Sequence, residues 1–475
     1  MELQTAVPGA SRADWSWWRE DIEQAHGAAQ KPVHGEVALD VAIVGGGFAG
    51  LWTAILLKAR APHLKVGLLE ASRVGDGASS RNGGIVHGYW QSLPSNIRTF
   101  GVDTALELAR LGSEAQQAFK AFVTAPGRDV WWKEEGNLRV ATCPAQEDAL
   151  RKFLEGCAGL GVENYVQPLS APQVRELVAS PAFGSGIYFP EAGNVHPGRL
   201  VLALKAAALE AGVLIHEHSP VSRIDEGKPH QVIASAGTVS AHHVVLATNV
   251  GLAGLPGVGN RMSLFSSYAC MSNPSEEALH QLRWSKAMGM NDARMFLHYF
   301  RQTHDGRVLM GSGSGPIGWG SAACAEQLRH DPASLERPRA GLQRLLPSMA
   351  RAGLAKSWGW PIDVSADRVP FFSTHKPGIH YAAGFSGHGV QAGWIAGQCL
   401  TSLVLEQKDK WYHSPFCQRR VPRLPPEPFK YLGACAIRAA ILACEEAEQL
   451  EQRASYTAQT VAALPALLGL RIGVR

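Results

Sequence analysis

The chain has 475 residues, of which 46% are hydrophobic and 18% charged, and its formal net charge is +4. This composition is typical of a globular protein with a large core, and the length suggests two or three domains. The charge is only weakly positive and no block of lysine or arginine occurs, so the sequence indicates binding neither to nucleic acid nor to an acidic membrane.

The eight cysteines are scattered, and neither they nor the 18 histidines show the spacing of a metal site. We therefore predict free thiols in a reducing compartment and no bound metal. The N-terminal segment lacks a basic stretch followed by an apolar one, and no apolar run approaches the roughly 20 residues that span a membrane. The expected location is the cytoplasm, with no integral membrane span.

Residues 1–36 predict an irregular lead-in that precedes the first regular elements. Residues 40–44 predict a buried strand, 51–59 a helix and 65–70 a second strand, which together make a βαβ unit. Later segments predict helices over 105–123, 145–160, 197–210 and about 335–348, and strands over 131–141, 186–196, 213–224 and 230–251, with a hairpin over 294–311 that turns at Asp305-Gly306.

The C-terminal part of the chain begins with residues 379–405, which predict a strand, a glycine loop and a long helix. The proline-rich segment 414–428 predicts a linker. Residues 429–455 are amphipathic and predict a helix, whose first part we expect to pack on the domain that holds the glycine loops. The apolar residues 461–475 support no firm prediction.

A glycine motif, Gly45-x-Gly47-x-x-Gly50, lies between the first strand and helix of the βαβ unit. Gly45 permits a tight turn, Gly47 lets the backbone approach a pyrophosphate, and Gly50 lets helix and strand pack closely. Glu70 ends the next strand, where its carboxylate can accept hydrogen bonds from a ribose diol and disfavours the 2′-phosphate of NADP. The motif predicts a dinucleotide, FAD or NAD, with a glycine-rich turn that binds none as the alternative.

Three further segments favour FAD over NAD. Residues 71–88 form a glycine- and serine-rich loop directly after Glu70, and residues 246–251 form a strand that ends in a small-residue turn. Residues 382–391 form another strand-to-helix glycine loop, which can direct a helix N-terminus at the pyrimidine side of a flavin. Glycine loops near both ends of the chain fit one extended FAD.

The chain contains, in this order, the segments DVAIVGGGFAGL, EASRVGDGASSRNGG, FRQTHDGRVLMG, AGFSGHGV and EPFKYLGACAIRAA. These segments resemble those of the D-amino-acid-oxidase-like FAD oxidoreductases and, within that family, those of the γ-glutamylputrescine oxidase group. The resemblance covers roughly residues 36–445. It implies an α/β fold with a Rossmann-like FAD-binding domain of the glutathione-reductase type and an interleaved α+β substrate-binding domain. The domains implied are FAD binding over 37–120, 190–255 and 350–410, substrate binding over 121–189 and 256–349, a lead-in over 1–36, and a linker and helical tail over 411–475.

The resemblance also implies an activity, the oxidation of a C–N bond in an amine or amino acid. Hydride leaves the carbon beside an unprotonated amine for flavin N5, and the imine then hydrolyses. The positions implied to contact FAD are Gly45, Gly47, Gly50, Glu70, Ala71, Ser79, Ser80, Arg81, Asn82, Gly83, Val221, Thr248, Gly384, Gly387, His388, Gly389 and Val390.

The implied catalytic residues are His388, beside the flavin, and Arg301, at a position where related enzymes bind a substrate carboxylate. A guanidinium suits this task because it holds both oxygens of an anion. Arg301, Tyr299, His87 and Trp358 form the expected substrate-binding set. The alternatives are a loop histidine that caps a backbone carbonyl, a surface arginine on the hairpin and a core tryptophan.

This sequence departs from the family pattern at four positions. Gly88 and Gln391 stand where sarcosine-type members grip a short carboxylate, so an amine with a more distant anionic group, such as γ-glutamylputrescine, fits better. Leu309 stands where relatives place a lysine that promotes reaction with oxygen, which leaves oxygen or another electron acceptor open. Trp358 stands at the position of a covalent flavin cysteine, so we predict noncovalent FAD.

Two other classes of protein compete with this interpretation. A flavin-binding dehydrogenase or electron-transfer subunit would explain the lost carboxylate and oxygen residues. An NAD-only dehydrogenase would leave the glycine loops at 71–88 and 382–391 unexplained.

Overall fold

The computed structural model describes residues 1–2 and 11–472. Residues 3–10 of the predicted lead-in and 473–475 of the predicted tail lie outside the described residues. Within the described ranges, no helix has both the length and the apolar character needed to cross a membrane.

The strands are β1 (Gly35–Val44), β2 (Val66–Leu69), β3 (Ile85–His87), β4 (Asn137–Val140), β5 (Gln167–Leu169), β6 (Gly186–Phe189), β7 (Ala192–Asn194), β8 (Leu214–His216), β9 (Val221–Asp225), β10 (His230–Ala234), β11 (Gly237–Leu246), β12 (Met262–Ser272), β13 (Gly289–Asp292), β14 (His298–Gln302), β15 (Val308–Ser312), β16 (Leu354–Ser365), β17 (Phe371–Lys376) and β18 (Ile379–Ala383).

The helices are α1 (Trp17–Asp21), α2 (Phe48–Arg60), α3 (Leu93–Phe100), α4 (Val102–Val123), α5 (Pro144–Glu155), α6 (Ala171–Leu177), α7 (Pro197–Glu210), α8 (Glu276–Gln281), α9 (Pro332–Leu345), α10 (Pro347–Arg351), α11 (Gly389–Val404), α12 (Lys410–His413), α13 (Pro415–Gln418), α14 (Phe429–Gln449) and α15 (Tyr456–Leu467).

The first sheet has the strand order β17-β18-β11-β1-β2-β8, and β10 and β9 extend it from β11. Strand β1 pairs in parallel with both β2 and β11. Residues 41–44 are buried because helices α2, α4, α7 and α11 share a core with one face of this sheet, and a second apolar cluster covers the other. This arrangement confirms the predicted βαβ unit and the α/β class.

The second sheet has the order β16-β12-β15-β14-β13-β4-β6-β5. Its pairs are antiparallel except for β13 with β4. One face packs on helices α8 to α10 through apolar side chains such as Leu342 and Met349. Because its strands alternate along the chain with those of the first sheet, the predicted interleaved α+β unit is confirmed.

One predicted boundary is wrong. Residues 354–365 form β16, which pairs along its whole length with β12 in the second sheet, whereas the sequence placed 350–410 in the FAD-binding part. Neither β12 nor β16 was predicted as a strand. Almost every residue of β12 is buried, and a strand covered on both faces lacks the polar alternation that marks a half-exposed one.

The C-terminal segment also differs from expectation. Residues 415–418 of the predicted linker form α13, with Pro415 at its first position. Helix α14 packs through Ile441 against Phe265 and Val364 of the second sheet, not on the glycine-loop domain. After α15 the chain returns towards β16, where the amide of Arg471 donates to the carbonyl of Ala366 at 2.9 Å.

Candidate active site

A cavity of about 520 Å³ is lined by residues of both sheets. The carboxyl ends of β1, β2 and β11 contribute the glycine and small-residue loops, and β12 to β14, β4 and β16 contribute side chains from the second sheet. The wall includes residues 44–49, 69–72, 76–79, 81–85, 219–221, 247–250, 295–297, 362–364 and 385–391.

The first glycine loop has the close contacts that its sequence predicts. Gly45 has a φ of +114°, and a Cβ there would lie 2.5 Å from the carbonyl oxygen of Ala247. A Cβ on Gly50 would lie 2.0 Å from the carbonyl oxygen of Gly45. Gly47 is the N-cap of helix α2 and provides no capping side chain, so amides of the first turn other than that of Phe48 are available at the cavity.

Glu70 is buried beside this loop. Its carboxylate accepts hydrogen bonds from the amides of Gly46 at 2.8 Å and Ser72 at 2.9 Å. Burial nevertheless dominates and raises the pKa of Glu70 to about 7. The carboxylate lies at the cavity wall, in the position predicted for ribose recognition.

The flavin-free protein should lose stability as pH rises from about 4.5 to about 7, because folded Glu70 holds its proton over that range while the unfolded chain releases it. The raised carboxyl pKa sets this sign, and the loss is at most about 3 kcal/mol. Urea unfolding of wild type and Glu70→Gln at pH 5 and pH 8 measures it. Parallel pH dependences in the two proteins would contradict the assignment to Glu70.

The loop over 71–88 is held by its own side chains. The Ser79 hydroxyl accepts the amide of Phe48 at 3.0 Å, at the start of α2. The Asn82 side chain accepts the amide of Gly84 and donates to the Ser79 carbonyl. Arg81 donates to the carbonyls of Asp14 and Gly77, and its guanidinium lies 3.7 Å from the Trp360 ring centre. The loop is therefore a rigid wall.

Asp363, which the sequence did not indicate, holds the third glycine loop. Its carboxylate accepts the amide of Gly384 at 2.5 Å and the side-chain amide of Asn249 at 2.6 Å. Burial raises the pKa of Asp363 to about 7, partly offset by these donors. The residue joins β16 to two FAD-type loops. Because β16 was not predicted as a strand, no signal in the sequence indicated a role for Asp363.

His388 and His87 meet at the cavity wall with ring centres 5.2 Å apart. Burial lowers the pKa of His87 and lowers that of His388 further, with a contribution from the neighbouring ring. Both imidazoles are therefore neutral at neutral pH, so this pair offers hydrogen bonds without positive charge.

The hairpin places Tyr299 in the cavity wall, where its hydroxyl is hydrogen-bonded to Ser267 at 2.9 Å. Arg301 does not reach the cavity. Its guanidinium donates to the carbonyls of Gly83 and Val195, both at 2.7 Å, and lies 4.8 Å from the Trp18 ring centre. The assignment of Arg301 to substrate is corrected, because these donors support the loop backbone.

Trp358 is likewise a core residue. Its indole donates to the carbonyl of Arg81 at 3.0 Å and packs with Leu309 in a buried cluster. Trp360, two residues on along β16, lines the cavity instead. The substrate-binding assignment of Trp358 is therefore corrected as well.

Most of the positions predicted to contact FAD line the same cavity. Three do not: Gly50 and Gly384 shape the turns behind it, and the Ser80 hydroxyl is buried against the carbonyl of Gly75. Those in the wall are Gly45, Gly47, Glu70, Ala71, Ser79, Arg81, Asn82, Gly83, Val221, Thr248, Gly387, His388, Gly389 and Val390.

One cluster of polar residues that the second sheet and its neighbouring turn contribute to the cavity wall was not predicted from the sequence. Asn137, Arg139 and Asn291 line the cavity from β4 and β13, together with Gln91. Asn137 donates to Asn291 at 2.9 Å, and Arg139 donates to the carbonyl of Gln91 at 2.9 Å. The alternation of polar 137 and 139 with apolar 138 and 140 is the one signal that could have indicated their shared face.

The cavity fits a long dinucleotide such as FAD. Its glycine-rich end has no room for side chains, and buried polar atoms beside it, Thr248 Oγ1, Asn249 Oδ1 and Arg81 Nη2, have no partner among the described residues. Ordinary proteins satisfy such atoms, so a ligand with ribose and phosphate oxygens suits this wall.

Two units line this cavity, one with a largely parallel sheet and dinucleotide-type loops and the other with a mostly antiparallel sheet, an arrangement typical of nucleotide-dependent oxidoreductases with two interleaved domains. The family model of the FAD dependent oxidoreductases (DAO) matches residues 40–403. Because this match covers more than half of the chain, the protein belongs to that family, and the predicted class of FAD-dependent oxidoreductase is confirmed.

Individual relatives agree. The chain is 28% identical over 410 residues to the gamma-glutamylputrescine oxidoreductase of Escherichia coli, covering 84% of this chain and 92% of that protein. It is 25% identical over 383 residues to the probable oxidoreductase OrdL of Haemophilus influenzae, covering 78% and 84%. Glycine oxidase from Geobacillus kaustophilus shares the fold with a TM-score of 0.66 and 22% identity, covering 81% of this chain and 99% of that one.

Proposed function

We propose that the protein oxidises the C–N bond of a small amine whose anionic group lies at a distance from the nitrogen, as in γ-glutamylputrescine. The observation that carries the proposal is the charge of the cavity wall. Its carboxylates are all engaged: Glu70 by two amides, Asp363 by Gly384 and Asn249, and Asp76 by Arg19. None of these described carboxylates is free of donors, so the wall offers no open counter-ion for an ammonium group and favours an unprotonated amine.

The cations in the wall support the same inference. Arg139 and Arg368 have no ion pair with a described carboxylate, and burial lowers the pKa of each to about 10. Two guanidinium groups raise the cost of a nearby ammonium and lower the pKa of a bound amine. FAD held by the glycine loops at 45–50 and 384–389 would supply the hydride acceptor for this oxidation. The residues of this chain orient the amine and keep it neutral.

We assign His388 and His87 to the positioning of the amine. Both are neutral at neutral pH, so either can donate or accept a hydrogen bond without a charge that would compete with the amine. Tyr299 lines the same cavity from the second sheet.

The relative from Escherichia coli supports γ-glutamylputrescine as the first substrate to test, because its name specifies that compound and the match covers most of both chains. FAD is proposed to bind noncovalently. No cysteine is among the residues of the described chain that line the cavity, and Trp358 is packed away from it.

An acceptor other than oxygen is the second candidate. Leu309 is buried in an apolar cluster with Trp358, and within the described ranges no lysine lines the cavity. A dehydrogenase, or a subunit that passes electrons to a partner, therefore remains a specific alternative to an oxidase.

Anaerobic titration of the purified holoenzyme with γ-glutamylputrescine, putrescine, sarcosine and glycine tests the proposal. We expect the flavin band to bleach with the first compound at far lower concentration than with the others. The apparent second-order rate of bleaching should rise with pH and follow the pKa of the free amine, with no step from a histidine between pH 6 and pH 8.

Readmission of air then separates the two acceptors, since rapid return of the colour marks an oxidase. Acid precipitation should release the yellow cofactor into solution if it is noncovalent. A flavin band that none of the amines bleaches would contradict the proposed reaction.

A further inference from the structure

Arg139 is a buried cation with an incomplete set of partners. Its side chain is 7% exposed overall, and one Nη2 hydrogen bond, to the Gln91 carbonyl at 2.9 Å, is its single recorded donor contact among the described residues. The guanidinium lies 5.2 Å and 5.3 Å from the ring centres of Phe153 and Phe189. These rings contribute a cation–π attraction but accept no hydrogen bond from Nε.

The pairing of the sheet explains where this cation lies. Arg139 on β4 is the register partner of Asn291 on β13, and Asn291 is the partner of Tyr299 on β14. All three line the cavity, so they form one row across its wall. With strands about 4.8 Å apart, the Arg139 backbone lies roughly 10 Å from that of Tyr299.

The atoms around the guanidinium are also unsatisfied. Arg139 Nε, Gln91 Nε2 and Asn137 Oδ1 are buried without a hydrogen-bond partner in the described protein. Two of these three atoms are donors, and the guanidinium beside them is positive. Buried polar groups are normally paired, so this cluster has the composition of an anion site that its ligand completes.

Among the described residues, no carboxylate forms an ion pair with Arg139. Burial lowers its pKa to about 10, with an opposing contribution from the Cys157 thiol. Arg301 differs from Arg139, because two backbone carbonyls accept its hydrogen bonds and it lies outside the cavity wall. The buried arginine that still has a free donor edge is the one that faces the cavity.

We propose that Arg139, with the side-chain NH2 of Gln91 as a second donor, binds the anionic group of the substrate, a carboxylate or phosphonate that is separated from the reacting amine by several bonds. This inference rests on the proposed function and identifies Arg139 as the residue that selects an anionic substrate. The fork of the guanidinium suits either anion. A neutral substrate of the same length leaves the site unpaired.

Matched pairs of substrate test this assignment. Anaerobic titration of the holoenzyme with ω-amino carboxylates of increasing length, each against its primary amide and its phosphonate, gives Kd and the limiting rate of flavin reduction. We expect Arg139→Gln to raise Kd for the acids about 100-fold, and to change both the Kd of the amides and the limiting rate less than threefold, because its effect on the amine is common to acids and amides. Arg139→Lys should fall between. A stronger effect on phosphonates would identify that anion as the preferred one.

The controls separate a binding role from a structural one. Arg175→Gln, an exposed arginine on α6, removes the same charge elsewhere. FAD content is measured for every variant. Equal losses for acids and amides in Arg139→Gln, or no loss for acids, would overturn the assignment.

A second measurement does not depend on turnover. Glutarate should perturb the flavin absorption of the wild type, with a Kd about 100-fold higher in Arg139→Gln. If no amine bleaches the wild type but glutarate still distinguishes the two proteins, the proposed reaction fails and the anion site stands. Failure of glutarate to bind the wild type, or equal binding by Arg139→Gln, overturns the site.

Discussion

Gly50→Ala should bind FAD about 100-fold more weakly than the wild type. The added Cβ would lie 2.0 Å from the carbonyl oxygen of Gly45, and that carbonyl belongs to a turn that is itself fixed against Ala247. Helix α2 must move away from the strand, which displaces the amides at its N-terminus from the phosphates. An overpacking cost of about 2–3 kcal/mol corresponds to a loss of this size.

The measurement is fluorescence or calorimetric titration of the flavin-free protein with FAD. Gly433→Ala is the matched control, because Gly433 lies inside α14 with nothing within 4 Å of its Cβ position. This control should retain full affinity and gain slightly in stability from the better helix propensity of alanine. Wild-type affinity in Gly50→Ala would show that the loop does not hold the cofactor.

The sequence predicted the cofactor end of the molecule well, and the reason is local. Gly45, Gly50 and Glu70 belong to one βαβ unit of about 30 residues, in which backbone sterics prescribe the residue types. The hairpin that carries Tyr299 was predicted for a similar reason, since Asp305-Gly306 sets its turn.

The substrate end could not be predicted in the same way, because its contacts join distant parts of the chain. The pairing of β4 with β13 sets Arg139 beside Asn291, and the turn before α3 brings the carbonyl of Gln91 to it. Arg301 was assigned to substrate by its position in a family pattern, yet two carbonyls from other loops occupy its donors. Whether a buried arginine serves a ligand or the backbone depends on which acceptors the fold brings to it.

Strand β16 could not be predicted for the same reason, because its pairing partner lies far away in the sequence. It was placed in the FAD-binding part over 350–410, but eleven of its twelve residues pair with β12. Asp363 lies on this strand and reaches the loops of the first sheet. The sequence alone therefore could not predict that Asp363 connects the two sheets, because this depends on the pairing of β16 with β12.

Asp363→Ala should reduce both stability and FAD retention strongly. The change leaves the amide of Gly384 and the side chain of Asn249 buried without their acceptor, and each lost partner costs about 1–3 kcal/mol. We expect the free energy of unfolding to fall by about 3–5 kcal/mol. The third glycine loop, no longer tied to β16, should also release flavin faster than the wild type.

Asp363→Asn separates the hydrogen bonds from the charge. One oxygen remains to accept from Gly384 or Asn249, while the new amide group meets the other donor unfavourably, so an intermediate loss is expected. Ser240→Ala, a partly buried polar position on β11 of the first sheet, provides a control with little expected effect. Urea unfolding and the rate of FAD release into an excess of an FAD-binding apoprotein, such as apo-glucose oxidase, measure the two quantities. If Asp363→Ala lost neither stability nor flavin, the carboxylate would not be the tie between β16 and the flavin loops.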